Sequence, residues 1–479
     1  MNNRIVIIAY ISLVIIGIGY SQIVNQVMVN REVNQFLQEK VSTPEFIYQI
    51  DNTSIILMIG DGMGSEHINL ARLVEVGVEG SLNIDELMYI NNLTTFNSNG
   101  AITDSAAAAT TLATGVKTIN GHIGFDSCKR QLESILEAAQ NLNKSTGLVT
   151  TTEIIHATPA AFATHVVSRN NYTGIAQQLV DEAHVDVLLG GGQAFVTYDQ
   201  ISSFQTMNYD IVYDLAELQL VSRNKMVGLF ALSHLPYVQE RDPSYTPSLP
   251  QMTQSALNAL ASDPDGFFLM IEGGLIDHAS HAHNKFDTAL ETIEFDQAIK
   301  IAKNYVDEHS NTLLLVTADH ETGGLTIIGD TLNSSLPGIG LTQTENLTLR
   351  QARVENISIT WTTDGHTMTP VPLYIYGPSL DEFPYDLKNT TMDNKDVYPI
   401  MRSFYPLTPT NPNDMGPCVP SFPSGTMSNP PSDAYTSSSD QSGISSSTTP
   451  KNIVFFTLRV LVGSMISLVV YFKLKKRRI

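Results

Sequence analysis

Cysteine is nearly absent. Cys128 and Cys418 are the only two in 479 residues. A pair so far apart rules out a disulfide-scaffolded fold. The sequence leaves open whether the two pair or stay free. Basic residues are also few, 27 against 48 acidic ones, for a net charge of −21. An acidic surface repels nucleic acid, so no nucleic-acid partner is expected. Internal repeats are lacking as well. Long apolar runs occur only near the two ends, so the intervening chain has no candidate span.

With 42% hydrophobic residues, the chain can bury one large core or two ordinary ones. Short apolar runs without alternation suit strands covered on both faces. They are Ser54–Ile59, Gly147–Val149 with its flank, Val185–Leu189, Phe267–Ile271 and Thr312–Val316. Helical patterns lie between them at Gln131–Asn141, Ile175–Ala183 and Thr288–Val306. This alternation predicts an α/β domain, with ligands collected at the carboxyl ends of the strands.

The metal-ligating residue types fall at those ends. Asp61 follows the first run inside Ile59–Gly64, IGDGMG. Asp-Gly marks turns by itself, so Asp61 gains meaning only from its company. Ser105, in TDSA (103–106), starts a small-residue helix, where it is either an N-cap or a hydroxyl facing an anion site. His156 and Thr158 flank Ala157, and Arg169 follows with a fork suited to two phosphate oxygens. Glu272, Asp277, His278 and His281 form the densest cluster, and Asp277 and His281 sit four apart on one helical face. Asp319 and His320 follow another apolar run, and His366 closes the set in DGH (364–366). Imidazole with carboxylate suits Zn²⁺, whereas carboxylate with Thr hydroxyl suits Mg²⁺.

The two ends point to a membrane. Residues 1–21 resemble a signal peptide, with Arg4 before an apolar run and Gly19-Tyr20-Ser21 as a cleavage site. Residues 417–450 are rich in Ser, Thr and Pro and suit an extended stalk. Residues 451–473 are apolar enough to span a bilayer, and the basic tail 474–479 would stay cytoplasmic. Residues 22–416 remain as the catalytic domain. Sequons at Asn52, Asn92, Asn143, Asn171, Asn333, Asn346, Asn356 and Asn389 fit a glycosylated ectodomain. The expected location is the cell surface, as a single-pass protein; a GPI anchor or an uncleaved N-terminal anchor is the alternative.

The segments IGDGMG (59–64), TDSAAAATTLATGVKTINGHIG (103–124), HATPAAFATHVVSRN (156–170), EGGLIDHASHAHN (272–284), TADHETGGL (317–325) and DGHTMTPVPLYIYGP (364–378) resemble the alkaline phosphatase family. The similarity spans roughly residues 45–380. It implies a three-layer α/β/α sandwich around a large, mostly parallel sheet, and broad hydrolysis of phosphate monoesters through a phosphoserine. It implies two Zn²⁺ and one Mg²⁺ per chain. Ser105 then matches the nucleophile and Arg169 the phosphate grip. Asp277, His281 and His366 match one zinc's ligands; Asp61, Asp319 and His320 match the other's. Asp61, Thr158 and Glu272 match the magnesium ligands. His156 and His278 stand at that third site as in animal members. Two metals about 4 Å apart can clamp an in-line displacement. The family also implies a homodimer. The stretch from His320 to His366 is short beside animal members, so the surface lobe there is expected to be reduced.

A phosphodiesterase or sulfatase of the same superfamily fits less well, because Ser stands at position 105 and Cys128 lies in an unsuitable setting. A catalytically inactive adhesion ectodomain would not be expected to keep the whole ligand set.

Overall fold

The computed structural model describes residues 52–331, 343–377, 392–407 and 411–416. The signal peptide, stalk, span and tail expected from the sequence lie outside them. Among the described residues, no helix is long and apolar enough to cross a membrane.

The strands in chain order are β1 Ser54–Gly60, β2 Met88–Thr94, β3 Ser145–Glu153, β4 Val187–Gly191, β5 Asp210–Val212, β6 Met226–Leu229 and β7 Phe267–Gly273. They continue with β8 Thr312–Thr317, β9 Glu321–Thr322, β10 Thr326–Asp330, β11 Ile357–Thr360, β12 His366–Thr367, β13 Val371–Tyr376 and β14 Met392–Asp393. Ten of them form one sheet, ordered β14-β2-β13-β8-β1-β7-β3-β4-β6-β5. Every pairing in it is parallel except those of β13, which runs against β2 and β8. The fold is therefore the expected three-layer α/β/α sandwich around a large, mostly parallel sheet.

β1, β7 and β8 are buried along their whole lengths. A run such as SIILMIG with helices on both faces has no reason to alternate. Each fully buried Ile or Leu there contributes about 1.5–3 kcal/mol. Register then does the positioning. Ile59 lies opposite both Glu272 of β7 and Thr317 of β8. The three strands end level, and the loops after them emerge side by side.

Two helix groups cover the sheet. Lys285–Glu308 packs on Leu249–Leu260 and Ser65–Glu75, whereas Ser105–Thr114 packs on Ala157–Ala163. The helix Ser105–Thr114 is buried throughout, which its small residues permit. It stops at Gly115 in the left-handed conformation (φ 74°). Its N-cap is Asp104, whose side chain accepts from the Ala107 N–H. The cap expected at Ser105 is thus one residue earlier, and Ser105 is the first helical residue.

Cys128 is disulfide-bonded, and Cys418 is the only other cysteine in the chain. The chain around Asn413 is held nearby. Asn413 Nδ2 donates to the carbonyls of Thr114 (3.0 Å) and Glu133 (2.8 Å). Arg130 donates to the carbonyls of Met415 and Gly416. Among the sequons, Asn52, Asn92, Asn143, Asn171 and Asn356 are exposed.

Candidate metal centre

The residues singled out from the sequence converge at the carboxyl ends of β1, β3, β7 and β8. Ser105, His156, Arg169, Asp277, His278, His281 and His366 line one open cavity of about 470 Å³. Asp61, Thr158, Glu272, Asp319 and His320 lie fully buried behind it. Three groups bring ligand atoms within 4.8 Å of one another: Asp277, His320 and His366; Asp61, Asp319 and His320; Asp61, His156 and Glu272. His281 joins the first group, with Nε2 3.1 Å from His366 Nε2 and 3.3 Å from Asp277 Oδ2.

Close approach of β1's loop makes this possible. Gly62 has φ +72°, and a Cβ there would lie 2.9 Å from Asp277 Oδ1 and 2.8 Å from Thr322 Oγ1. Its N–H donates to Asp319 Oδ1. Only glycine suits both the backbone angle and the space. Asp277 and His281 share a face of the helix Leu275–His281, as their spacing predicts.

The histidines are oriented alike. His366 Nδ1 donates to the Thr103 carbonyl (2.9 Å), and His281 Nδ1 donates to the Asp364 carbonyl. His320 Nδ1 donates to Thr322 Oγ1 (3.3 Å), which donates on to Asp277 Oδ1 (2.5 Å). Each ring therefore turns its Nε2 inward, the atom a neutral imidazole offers to a metal. Asp277 pushes His281 up to about 9, so this ring must give up a proton to become a ligand.

The carboxylates tell the same story. Asp61 Oδ1 and Oδ2, Glu272 Oε1, Asp319 Oδ2, Thr158 Oγ1 and His156 Nδ1 are all buried and make no well-formed hydrogen bond. Burial, with Asp319, Asp277 and Glu272 nearby, holds Asp61 well above the usual carboxylate range. Burial likewise pushes Asp319 up to about 7, with Asp277 and Glu272 adding to it. Burial, and then His366, holds His320 well below its ordinary value. Buried oxygens in this number are stable only when paired with positive charge. The donor set fits divalent cations, nitrogen-rich at the cavity and oxygen-rich behind it.

Glu272 is held by threonines. Thr150 and Thr152 hydroxyls both donate to its Oε2, leaving Oε1 free. Ser105 Oγ lies 3.3 Å from His320 Nε2. Arg169 Nη1 is 3.3 Å from Asp104 Oδ2, and Nη2 donates to His156 Nε2 at 3.2 Å. These contacts hold the guanidinium in the cavity that Ser105 also lines.

Two neighbours were not foreseen. His234 Nδ1 lies 2.7 Å from Glu153 Oε2, and its ring meets His278 edge to face at 4.3 Å. Burial works against the Glu153 charge, but His234 and Ser233 hold the carboxyl down to about 2. Burial and the neighbouring histidines push His278 down to about 4, so it stays neutral. Tyr237 lines the cavity itself. His234 does follow an apolar run, Met226–Leu232, but neither residue stands at a ligand-like spacing, so both were passed over in the sequence.

A level-ended parallel sheet carrying a buried cation site beside a serine and an arginine defines a metal-dependent phosphohydrolase. The comparisons with known proteins narrow this. The family described as alkaline phosphatase matches residues 52–352. Alkaline phosphatase 4 of Bacillus subtilis (strain 168) is 34% identical over 402 residues, covering 71% of this chain and 87% of that protein. The alkaline phosphatase of Escherichia coli (strain K12) is 33% identical over 355 residues, covering 61% and 74%. Among solved structures, a cold-active alkaline phosphatase from Shewanella sp. superposes with a TM-score of 0.64 at 31% identity, covering 74% of this chain and all of that one. The Thermus thermophilus alkaline phosphatase gives 0.65 at 25% identity, covering 77% and 96%. The chain belongs to the alkaline phosphatase family. It is a phosphoric monoester hydrolase, and the family is metal-dependent.

Proposed function

We propose that Ser105 is the nucleophile of a broad-specificity phosphomonoesterase that works through a phosphoserine. The observation that carries this is the Ser105 hydroxyl at the start of a buried helix, free of capping duty and facing the cavity it shares with Arg169. Asp277, His281 and His366 would hold one zinc, and Asp61, Asp319 and His320 a second. Asp61, Thr158 and Glu272, with His156 and His278 alongside, would hold a magnesium. When bound, these cations supply Lewis acidity and offset charge on the phosphoryl oxygens.

The chain's own groups do the rest. Arg169 grips two oxygens of the phosphoryl group, because its planar fork matches them. Asp104 and His156 keep that fork aimed. The helix N-terminus presents backbone N–H groups to the same anion. Ser105 Oγ bonds phosphorus as the ester P–O bond breaks, and the alcohol departs with a proton. Water then attacks phosphorus, the Oγ–P bond breaks, and Ser105 recovers its hydroxyl with release of phosphate. Ser105 and Arg169 read only the phosphoryl group, which supports breadth in the alcohol.

The surroundings are proposed from the sequence. The run Ile453–Phe472 followed by Lys473, Lys475, Lys476, Arg477 and Arg478 supports a surface enzyme tethered by a C-terminal span, its catalytic domain outside. Family membership supports a homodimer.

The test is p-nitrophenyl phosphate hydrolysis by the purified chain from pH 6 to 11. Activity should peak at alkaline pH, vanish with EDTA and return with zinc. A folded, zinc-loaded protein that leaves this ester intact overturns the reading.

A further inference from the structure

The segment between β6 and the helix Leu249–Leu260 brings a ring to the cavity mouth. Among the described residues, Tyr237 is the only tyrosine, phenylalanine or tryptophan side chain lining it; the other lining groups are imidazoles, a carboxylate, a hydroxyl and the guanidinium. Its phenol is neutral at any working pH. Burial, with Asp287 and Glu291 nearby, pushes the hydroxyl up to about 12. The ring lines the same cavity as Asp277, His281 and His366.

The backbone that carries the ring is also fixed. Leu235 N–H donates to the Thr151 carbonyl of β3 (2.9 Å). Val238 N–H donates to Glu291 Oε1 (2.8 Å), and Gln239 Nε2 donates to Asp287 Oδ1 (2.6 Å). Arg241 Nη1 lies 2.6 and 2.8 Å from the two oxygens of Glu294, in a pair that is almost wholly buried. Four tethers within seven residues leave Tyr237 little freedom to lose when a ligand arrives. A rigid aromatic face at low entropic cost is what a flat ligand needs.

We propose that Tyr237 is a specificity-determining residue: its ring forms a wall against which a planar, ring-bearing alcohol stacks, so aryl and nucleoside-type phosphomonoesters are taken in preference to aliphatic ones of equal charge. The proposal rests on the phosphomonoesterase reading, with the leaving alcohol on the Asp277 side. Ser105 and Arg169 read only the phosphoryl group, so discrimination between alcohols falls to whatever lines the mouth.

The experiment is steady-state kinetics of the full-length, metal-loaded chain with phenyl phosphate, adenosine 5′-monophosphate and glycerol 2-phosphate. Tyr237→Ala should lower the kcat/KM ratio of each ring-bearing ester to glycerol 2-phosphate by about 3–10-fold, with the loss in KM rather than kcat. Tyr237→Phe should keep the wild-type ratio. Tyr237→Leu keeps bulk without a flat ring, and should lose the ratio as Ala does. Equal losses on all three substrates, an unchanged ratio in Ala, or a Leu variant that behaves like Phe overturns the proposal. Wild-type protein inert toward all three esters overturns the phosphomonoesterase reading instead.

Discussion

The proposed role of Ser105 depends on a one-residue offset. Asp104 takes the capping role, accepting from Ala107 N–H, and so spares the next hydroxyl. Ser105→Ala should therefore cut turnover by roughly 10³-fold or more, with bound metal and Tm unchanged. Metal analysis beside kinetics checks this, and normal turnover in that variant would remove Ser105 from its role. At this scale the sequence was informative wherever a polar residue followed an apolar run. Asp61, Glu272 and Asp319 stand directly after or at the end of such runs, and all three lie in the buried cluster. Residues that act through others gave no such signal. Thr322 orients His320 only because β9 pairs with β12 and folds back under Gly62. Thr150 and Thr152 look like ordinary strand residues until β7 brings Glu272 alongside.

Among the elements, the helix Lys285–Glu308 does more than cover the sheet. Its Glu291 and Glu294 anchor the segment that carries His234 and Tyr237. Burial, against the opposing pull of Arg241, pushes Glu291 up to about 8. The folded chain thus keeps a proton there that the unfolded chain releases near its ordinary value of about 4.3. Stability contributed by that proton is present at low pH and is lost as pH rises from about 4.3 through 8. Glu291→Gln keeps an acceptor for Val238 N–H and removes the titration. Its Tm should decline less than wild type between pH 5.5 and 8.5, by a few degrees in differential scanning fluorimetry. An identical slope in both proteins would refute the assignment. The central strands were legible because they are apolar from end to end. β2 and β13 were not. β2 is partly exposed and carries Asn91 and Asn92, whereas β13 holds Pro372. Their strand character comes from pairing with each other and with β8, which no local pattern records.

For the whole molecule, the buried carboxylates set a dependence on cations. Stripping the metals leaves Asp61, Asp319, Glu272 and Asp277 facing one another in a low-dielectric interior. EDTA should lower Tm by on the order of 10 °C, and zinc with magnesium should restore it. A Tm indifferent to chelation would show that the cluster is neutralised by protons alone. The α/β architecture was legible as a whole because alternation of apolar runs with helical patterns extends over most of the chain. The Cys128 disulfide was not, since nothing local to Cys128 in the sequence marks it as paired. The level strand ends also govern the order in which the protein comes into being. Ile55 sits beside Phe268 and Leu313, strands that leave the ribosome long after it. A nascent chain that has released Asp61, Ser105 and Arg169 has nothing yet to hold them level. The centre exists only once Asp319, His320 and His366 have emerged. Cations can therefore reach the complete proposed ligand set only after the chain has been made through His366.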